Sequence, residues 1–199
     1  MATAALHTLD QRAYGRLAIA LHWTIALLIF VQMGTGWYMN HFVEDHSPAQ
    51  DRIEVVHISI GLTTMLLIAV RIGIRLTQPP PPLPAGLAGW ERKLSHASHL
   101  LFYALMIALP LTGWLLVSLR HAPVAFWGLP WPRLPGASVF ATPHFRPLRH
   151  VLQDIHTDYL VWLALANIAL HVAGALKHQF DGNPVLWRML PGLKPPTAG

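Results

Sequence analysis

Four histidines stand where an imidazole is costly. His22 lies in AIALHWTIALLIFVQMG (residues 18–34) and His57 in EVVHISIGLTTMLL (54–67). His156 and His171 bracket the apolar stretch of DIHTDYLVWLALANIALHVAGAL (154–176). Ionisable groups inside a membrane are expensive and usually functional. Two imidazoles facing each other in an apolar bundle suit few ligands. Zinc wants a third and a fourth protein ligand, and the chain has no cysteine and few carboxylates at these depths. Haem iron needs only two axial ligands, because the porphyrin supplies the other four nitrogens. With histidine on both sides the iron is low-spin and closed to added ligands, which suits electron transfer over oxygen activation.

The elements that must position these residues are read from composition. Apolar residues make up 53% of the 199-residue chain and charged residues 12%, against about a quarter charged in a soluble domain. Apolar stretches of about 20 residues, the length that crosses a ~30 Å hydrocarbon core, occur four times. They predict spans at roughly 17–39, 53–76, 96–119 and 153–178. The fold expected is therefore all-α, a transmembrane four-helix bundle forming a single membrane domain over 1–199, with 120–152 as an outer interfacial loop. Pro110 inside the third span is tolerable there, since neighbouring helices absorb the lost hydrogen bond. The first apolar run is long and begins late, as a retained span does and a signal peptide does not. The lack of cysteine excludes disulfides, thiolate-held clusters and covalent haem attachment through CxxCH.

Depth then sorts the histidines. With about 1.5 Å per residue, His22, about five residues into the first span, and His171, about seven before the end of the fourth, share a level near the termini. His57, about four residues into the second span, and His156, about three into the fourth, share a level near the opposite face. His156 and His171 are 15 residues apart, about 22 Å along a helix and about 60° around it. Two stacked sites sharing one helix follow. Gly61, Ala18, Ala26 and Gly174 lie on the ligand-bearing faces, as room for a flat macrocycle or as ordinary small-residue helix packing.

The net charge of +5 is distributed as an orientation signal and not as a nucleic-acid surface. With four spans the termini share a side. There lie Arg12, Arg16, Arg71, Arg75, Arg92, Lys93, Lys177, Arg188 and Lys194 against three acids. The basic excess marks the cytoplasmic face, so a multi-pass protein of the bacterial cytoplasmic membrane with both termini inside is expected. His7, His41, His46, His121, His144 and His150 fall in termini or loops, where solvated imidazole is ordinary. The segment HAPVAFWGLPWPRLPGASVFATPHFRPLRH (121–150) carries Phe126, Trp127, Trp131 and Phe140, which suit a membrane interface. Its Arg133, Arg146, Arg149, His144 and His150 would attract an anion or lipid headgroups.

RLAIALHW, EVVHISIG with the following VRIGIRL, LSHASHLLFYALMIALPLTGW, and DIHTDYLVWLALANIALHVAGALKHQF running on into VLWRMLPG together resemble the prokaryotic cytochrome b561 family over nearly all of residues 14–192. Members are four-helix dihaem, quinone-linked cytochromes similar to membrane subunits of some formate dehydrogenases and hydrogenases. The resemblance implies two haem b groups, with His22 and His171 as axial ligands of the cytoplasmic-side iron and His57 and His156 of the outer one. The 15-residue interval on the fourth span is one longer than is usual in that family, and a π-bulge between Tyr159 and Ala169 would absorb the extra residue. Arg16 and Arg71 are expected contacts of haem propionates, which arginine pairs with well; snorkelling to lipid phosphate is the alternative. His96 and His99 cap the third span, touch a propionate, line a quinone pocket or replace a ligand opposite His22, and His178 and Lys177 join that polar cluster. The activity implied is electron transfer between an outer-side donor or acceptor, superoxide or a protein, and an exchangeable quinone. A superoxide:ubiquinone oxidoreductase or another quinone-linked oxidoreductase would have that form. A histidine-based proton or metal-ion transporter is the rival, and it would want mid-span carboxylates, where Asp158 alone barely qualifies.

Overall fold

A computed structural model describes residues 14–45, 47–83, 86–120 and 124–190. Arg12, Lys194, His7, His46 and His121 lie outside the described residues. Helix α1 spans Arg16–Phe42, α2 Pro48–Thr77 and α3 Gly89–Ser118. The fourth rod is continuous but compound: α4 (Arg146–Asp154), a π turn (Ile155–Tyr159) and α5 (Leu160–Phe180), with helical backbone angles at both junctions. Four long apolar helices thus build a transmembrane four-helix bundle, and only 11–22% of the residues in their apolar windows are buried inside the protein. The outward-facing remainder, including Leu27, Phe30, Leu66, Leu100 and Trp162, is solvated by lipid, as a helix apolar all round requires.

Helix ends run past the apolar spans because polar capping residues extend them. The Ser47 hydroxyl accepts from the Gln50 amide at 3.2 Å with Pro48 at the first helical position, so α2 begins five residues before the expected span. Glu91 accepts from the Ala88 amide at 2.9 Å and starts α3 at Gly89, well ahead of residue 96. The fourth rod likewise begins at Arg146, inside the stretch expected to be loop. Pro110 lies inside α3 without ending it.

We call the end where α1 starts and α5 stops proximal, and the opposite end distal. Leu21, Ile25 and Ile68 form the buried cluster of the proximal half, backed by Ile29, Ile72 and Met106. A buried polar pair joins α3 to α5: Ser98 donates to Asn167 Oδ1 at 2.9 Å and the Asn167 amide donates to the Ser98 carbonyl at 3.1 Å. Lys177 bridges Glu91 at 2.7 Å and Asp181 at 2.6 Å across the proximal end, and Arg120 pairs with Glu54 at the distal end.

The distal segment is folded back onto the bundle. Strands β1 (Val124–Phe126) and β2 (Leu129–Trp131) pair antiparallel about a two-residue turn, Trp127–Gly128, with φ of +51° and +84°. Positive φ at both turn residues matches the twist of a tight hairpin, but it is a strained state for tryptophan. Two hydrogen bonds to α2 hold it there: the Trp127 amide donates to Ser59 Oγ at 2.9 Å and its indole to Thr63 Oγ1 at 3.0 Å. Thr63 is six residues further along α2 than His57, about 9 Å deeper. The hairpin turn thus lies against α2 beyond the level of His57.

Candidate functional site

The helices bring the four intramembrane histidines together as two pairs. His22 on α1 and His171 on α5 have ring centres 6.4 Å apart with planes at 59°. His57 on α2 and His156 in the π turn have ring centres 6.4 Å apart with planes at 84°. Two bonds of about 2.0 Å from imidazole nitrogen to a metal, plus about 1.2 Å from each nitrogen to its ring centre given ring bonds near 1.35 Å, sum to about 6.4 Å. Both pairs meet this separation. Among the described residues no group of three or more His, Asp or Glu is arranged to hold a metal ion.

The π turn explains how His156 reaches the distal pair. The Leu160 amide bonds to the Ile155 carbonyl, a five-residue closure that takes up one residue without advancing the helix. The bulge lies one turn earlier than the interval Tyr159–Ala169 that the sequence suggested, and His156 is inside it. A wide turn there takes up one residue of the 15-residue interval between His156 and His171.

Each distal imidazole is also held from behind. Thr35 Oγ1 lies 3.0 Å from His57 Nδ1 and Thr112 Oγ1 2.9 Å from His156 Nδ1. Gly36 and Gly113 follow these threonines. A Cβ at 36 would stand 3.4 Å from His57 Cε1, and one at 113 would stand 3.1 Å from His156 Cε1. The sequence reasoning missed all four residues, although TGW recurring at 35–37 and 112–114 was a visible signal. Of the glycines on the ligand-bearing faces, Gly61 is closed by a protein neighbour and Gly174 is open. At Gly61 a Cβ would meet the Gln32 amide at 2.7 Å, so this glycine makes room for α1 packing on α2, while Gly174 has nothing within 4 Å.

The proximal pair has cationic surroundings. Arg71 donates to the Ala18 carbonyl at 3.3 Å and its Nη2 lies 3.4 Å from His22 Nδ1. Arg71 and Arg75 line a cavity of about 210 Å3 with Tyr14, Gln78 and Tyr103. That charge suits carboxylates such as propionates. Arg16 is exposed at the first residue of α1. His99 packs edge-on against His171 with ring centres 5.5 Å apart, its Nδ1 2.7 Å from the Ser95 carbonyl. His96 Nδ1 lies 2.7 Å from the Arg92 carbonyl. Phe102 and Trp23 flank His171 and His22 at 5.3 and 5.2 Å, and the Trp23 indole donates to the Met189 carbonyl at 2.6 Å. This contact brings the short turn Leu186–Arg188 against the proximal site.

Fold and paired imidazoles define a class, the small four-helix membrane cytochromes. Residues 13–192 match the family described as prokaryotic cytochrome b561. The chain belongs to that family, whose members carry b-type haem and move electrons within membranes. It is 28% identical over 181 residues to Cytochrome b561 homolog 2 of Escherichia coli (strain K12), covering 89% of this chain and 90% of that one. It is 26% identical over 185 residues to Probable superoxide oxidase CybB of Yersinia pestis, covering 91% and 97%.

Proposed function

We propose that the chain holds two b-type haems, the proximal between His22 and His171 and the distal between His57 and His156. In this reading it passes electrons between a donor on the distal side and a quinone in the membrane. The observation that carries it is the equal 6.4 Å separation of both ring pairs, together with the room the two glycines leave beside the distal rings. When bound, haem supplies a one-electron carrier at each level. The residues do the rest. Helices α1, α2 and the fourth rod hold four half-buried imidazoles, and that fixes ligand geometry and tunes potential. Arg71 and Arg75 are suited to propionates at the proximal end. Arg16, exposed six residues before His22, is a contact for a propionate or for lipid phosphate.

Proximal is the cytoplasmic side in this reading, because the basic excess lies there, and the membrane is the bacterial inner membrane. Within residues 121–150, Arg133, Arg146 and Arg149, beside His144 and His150, make a cationic segment free of acids, which attracts anions, on a distal side that also carries Glu44, Asp45, Asp51, Glu54, Asp154 and Asp158. The name of the Yersinia relative makes superoxide the leading donor. Each superoxide would give up one electron and leave as dioxygen, so two would reduce one quinone, with two protons drawn from water. The test is the dithionite-reduced minus oxidised spectrum of purified protein with haem quantification. Two b-type haems per chain are expected; none would end this reading and favour a histidine-based proton or metal-ion transporter.

A further inference from the structure

The tripeptide Thr-Gly-Trp occurs late in α1 (35–37) and late in α3 (112–114), and each copy meets one histidine of the distal pair. Both threonine hydroxyls are back-bonded to their own helices. Thr35 donates to the Gln32 carbonyl at 3.1 Å. Thr112 donates to the carbonyls of Ala108 and Leu109 at 2.8 and 2.9 Å. A hydroxyl has one proton. With that proton committed to the backbone, the oxygen meets the imidazole as an acceptor, so Nδ1 of His57 and of His156 is the protonated nitrogen and Nε2 carries the lone pair. The glycine that follows leaves space for the ring edge at 3.4 Å on α1 and 3.1 Å on α3. Threonine thus sets tautomer and direction while glycine sets the distance of approach.

Among the described residues no hydroxyl meets a ring nitrogen of the proximal pair. The group beside His22 Nδ1 is the Arg71 guanidinium, 3.4 Å away, which offers an Nδ1–H no acceptor. We infer that Thr35 and Thr112 are positioning residues of the distal site: they present Nε2 of His57 and His156 to the iron and make these imidazoles stronger donors than those of the proximal pair. A ligand imidazole that gives up its second N–H to an acceptor is more basic, which favours the oxidised metal and lowers its potential. The inference rests on the haem reading above and deepens it.

The test is Thr35→Val and Thr112→Val, which keep the shape and remove the acceptor, in the full-length chain. Optical and paramagnetic-resonance redox titrations are expected to show two haems retained and one potential raised. A shift of the order of tenfold in the reduction equilibrium constant is expected, about 59 mV for a one-electron couple. The other potential stays in place, and Thr35→Ser and Thr112→Ser restore the first. Haem loss in a valine variant with recovery in the serine variant supports the same role; loss in both marks a packing role and overturns it. Unchanged potentials in valine variants of a two-haem protein also overturn it while leaving the haem reading intact. Protein lacking haem altogether sinks that reading instead. Nitrogen-15 resonances of haem-free protein then decide the inference: Nδ1–H tautomers at His57 and His156 sustain it, and Nε2–H tautomers refute it.

Discussion

Gly113→Ala gives the sharpest consequence of the distal geometry. The new methyl would sit 3.1 Å from His156 Cε1 and 3.6 Å from its Nε2, where carbon contacts are comfortable at about 3.5–4.0 Å. The ring must therefore retreat by about 0.4 Å or more, near the ~0.5 Å tolerance within which a constellation still functions. Overpacking of this kind costs about 1–3 kcal/mol. If it falls on the liganded state, distal haem affinity drops by about 5- to 150-fold at ~1.4 kcal/mol per decade. Alanine also gains about 1 kcal/mol of helix propensity over glycine, so the fold itself should not weaken. The assay is haem per chain during stepwise dilution in detergent, with circular dichroism for helix content. The variant is expected to keep its helices and one haem while losing the second early. Gly36→Ala, whose Cβ would stand 3.4 Å from His57 Cε1, is expected to lose distal haem less readily than Gly113→Ala. Full retention of both haems by Gly113→Ala, with an unaltered distal spectrum, would refute the reasoning.

Three further outcomes follow from other parts of the bundle. His22→Ala or His171→Ala is expected to cut haem from two per chain to one and to spare the distal potential; an unchanged count after either would remove that residue from the ligand set. Deleting Asp158, exposed in the π turn, is expected to restore a regular α-helix and keep both haems, since the bulge offsets one surplus residue; loss of the distal haem would show that the bulge does something else. Asn167→Leu breaks the reciprocal bond with Ser98 and is expected to cost about 0.6–1.7 kcal/mol of bundle stability, measured by unfolding in mixed micelles. A larger loss confined to α3–α5 contacts would contradict that figure.

What the sequence disclosed was what depth and cost can disclose. His22, His57, His156 and His171 were visible because imidazole in hydrocarbon is expensive, and 1.5 Å per residue was enough to sort them into two levels. The surplus residue between His156 and His171 was countable, but its location was not: spacing fixes the sum of the turns, and packing decides that the wide turn falls at His156. Thr35 and Thr112 were hidden because a threonine in a membrane helix ordinarily satisfies its hydroxyl on its own backbone. The partner across the helix gap leaves no local trace. The same holds for Trp127, whose bonds to Ser59 and Thr63 cross more than sixty residues. Aromatic residues among prolines suggested an interface, and only the folded chain shows a hairpin running down α2. Gly61 lies on the face of His57 where a macrocycle would need room, and the Gln32 side chain stands against it.

Anomalous scattering at the iron edge, from crystals of the purified membrane protein, tests the central claim most directly. Two iron peaks are expected, one between the rings of His22 and His171 and one between Nε2 of His57 and His156. A single peak, or a peak ligated by His96 or His99 in place of either pair, would contradict the account.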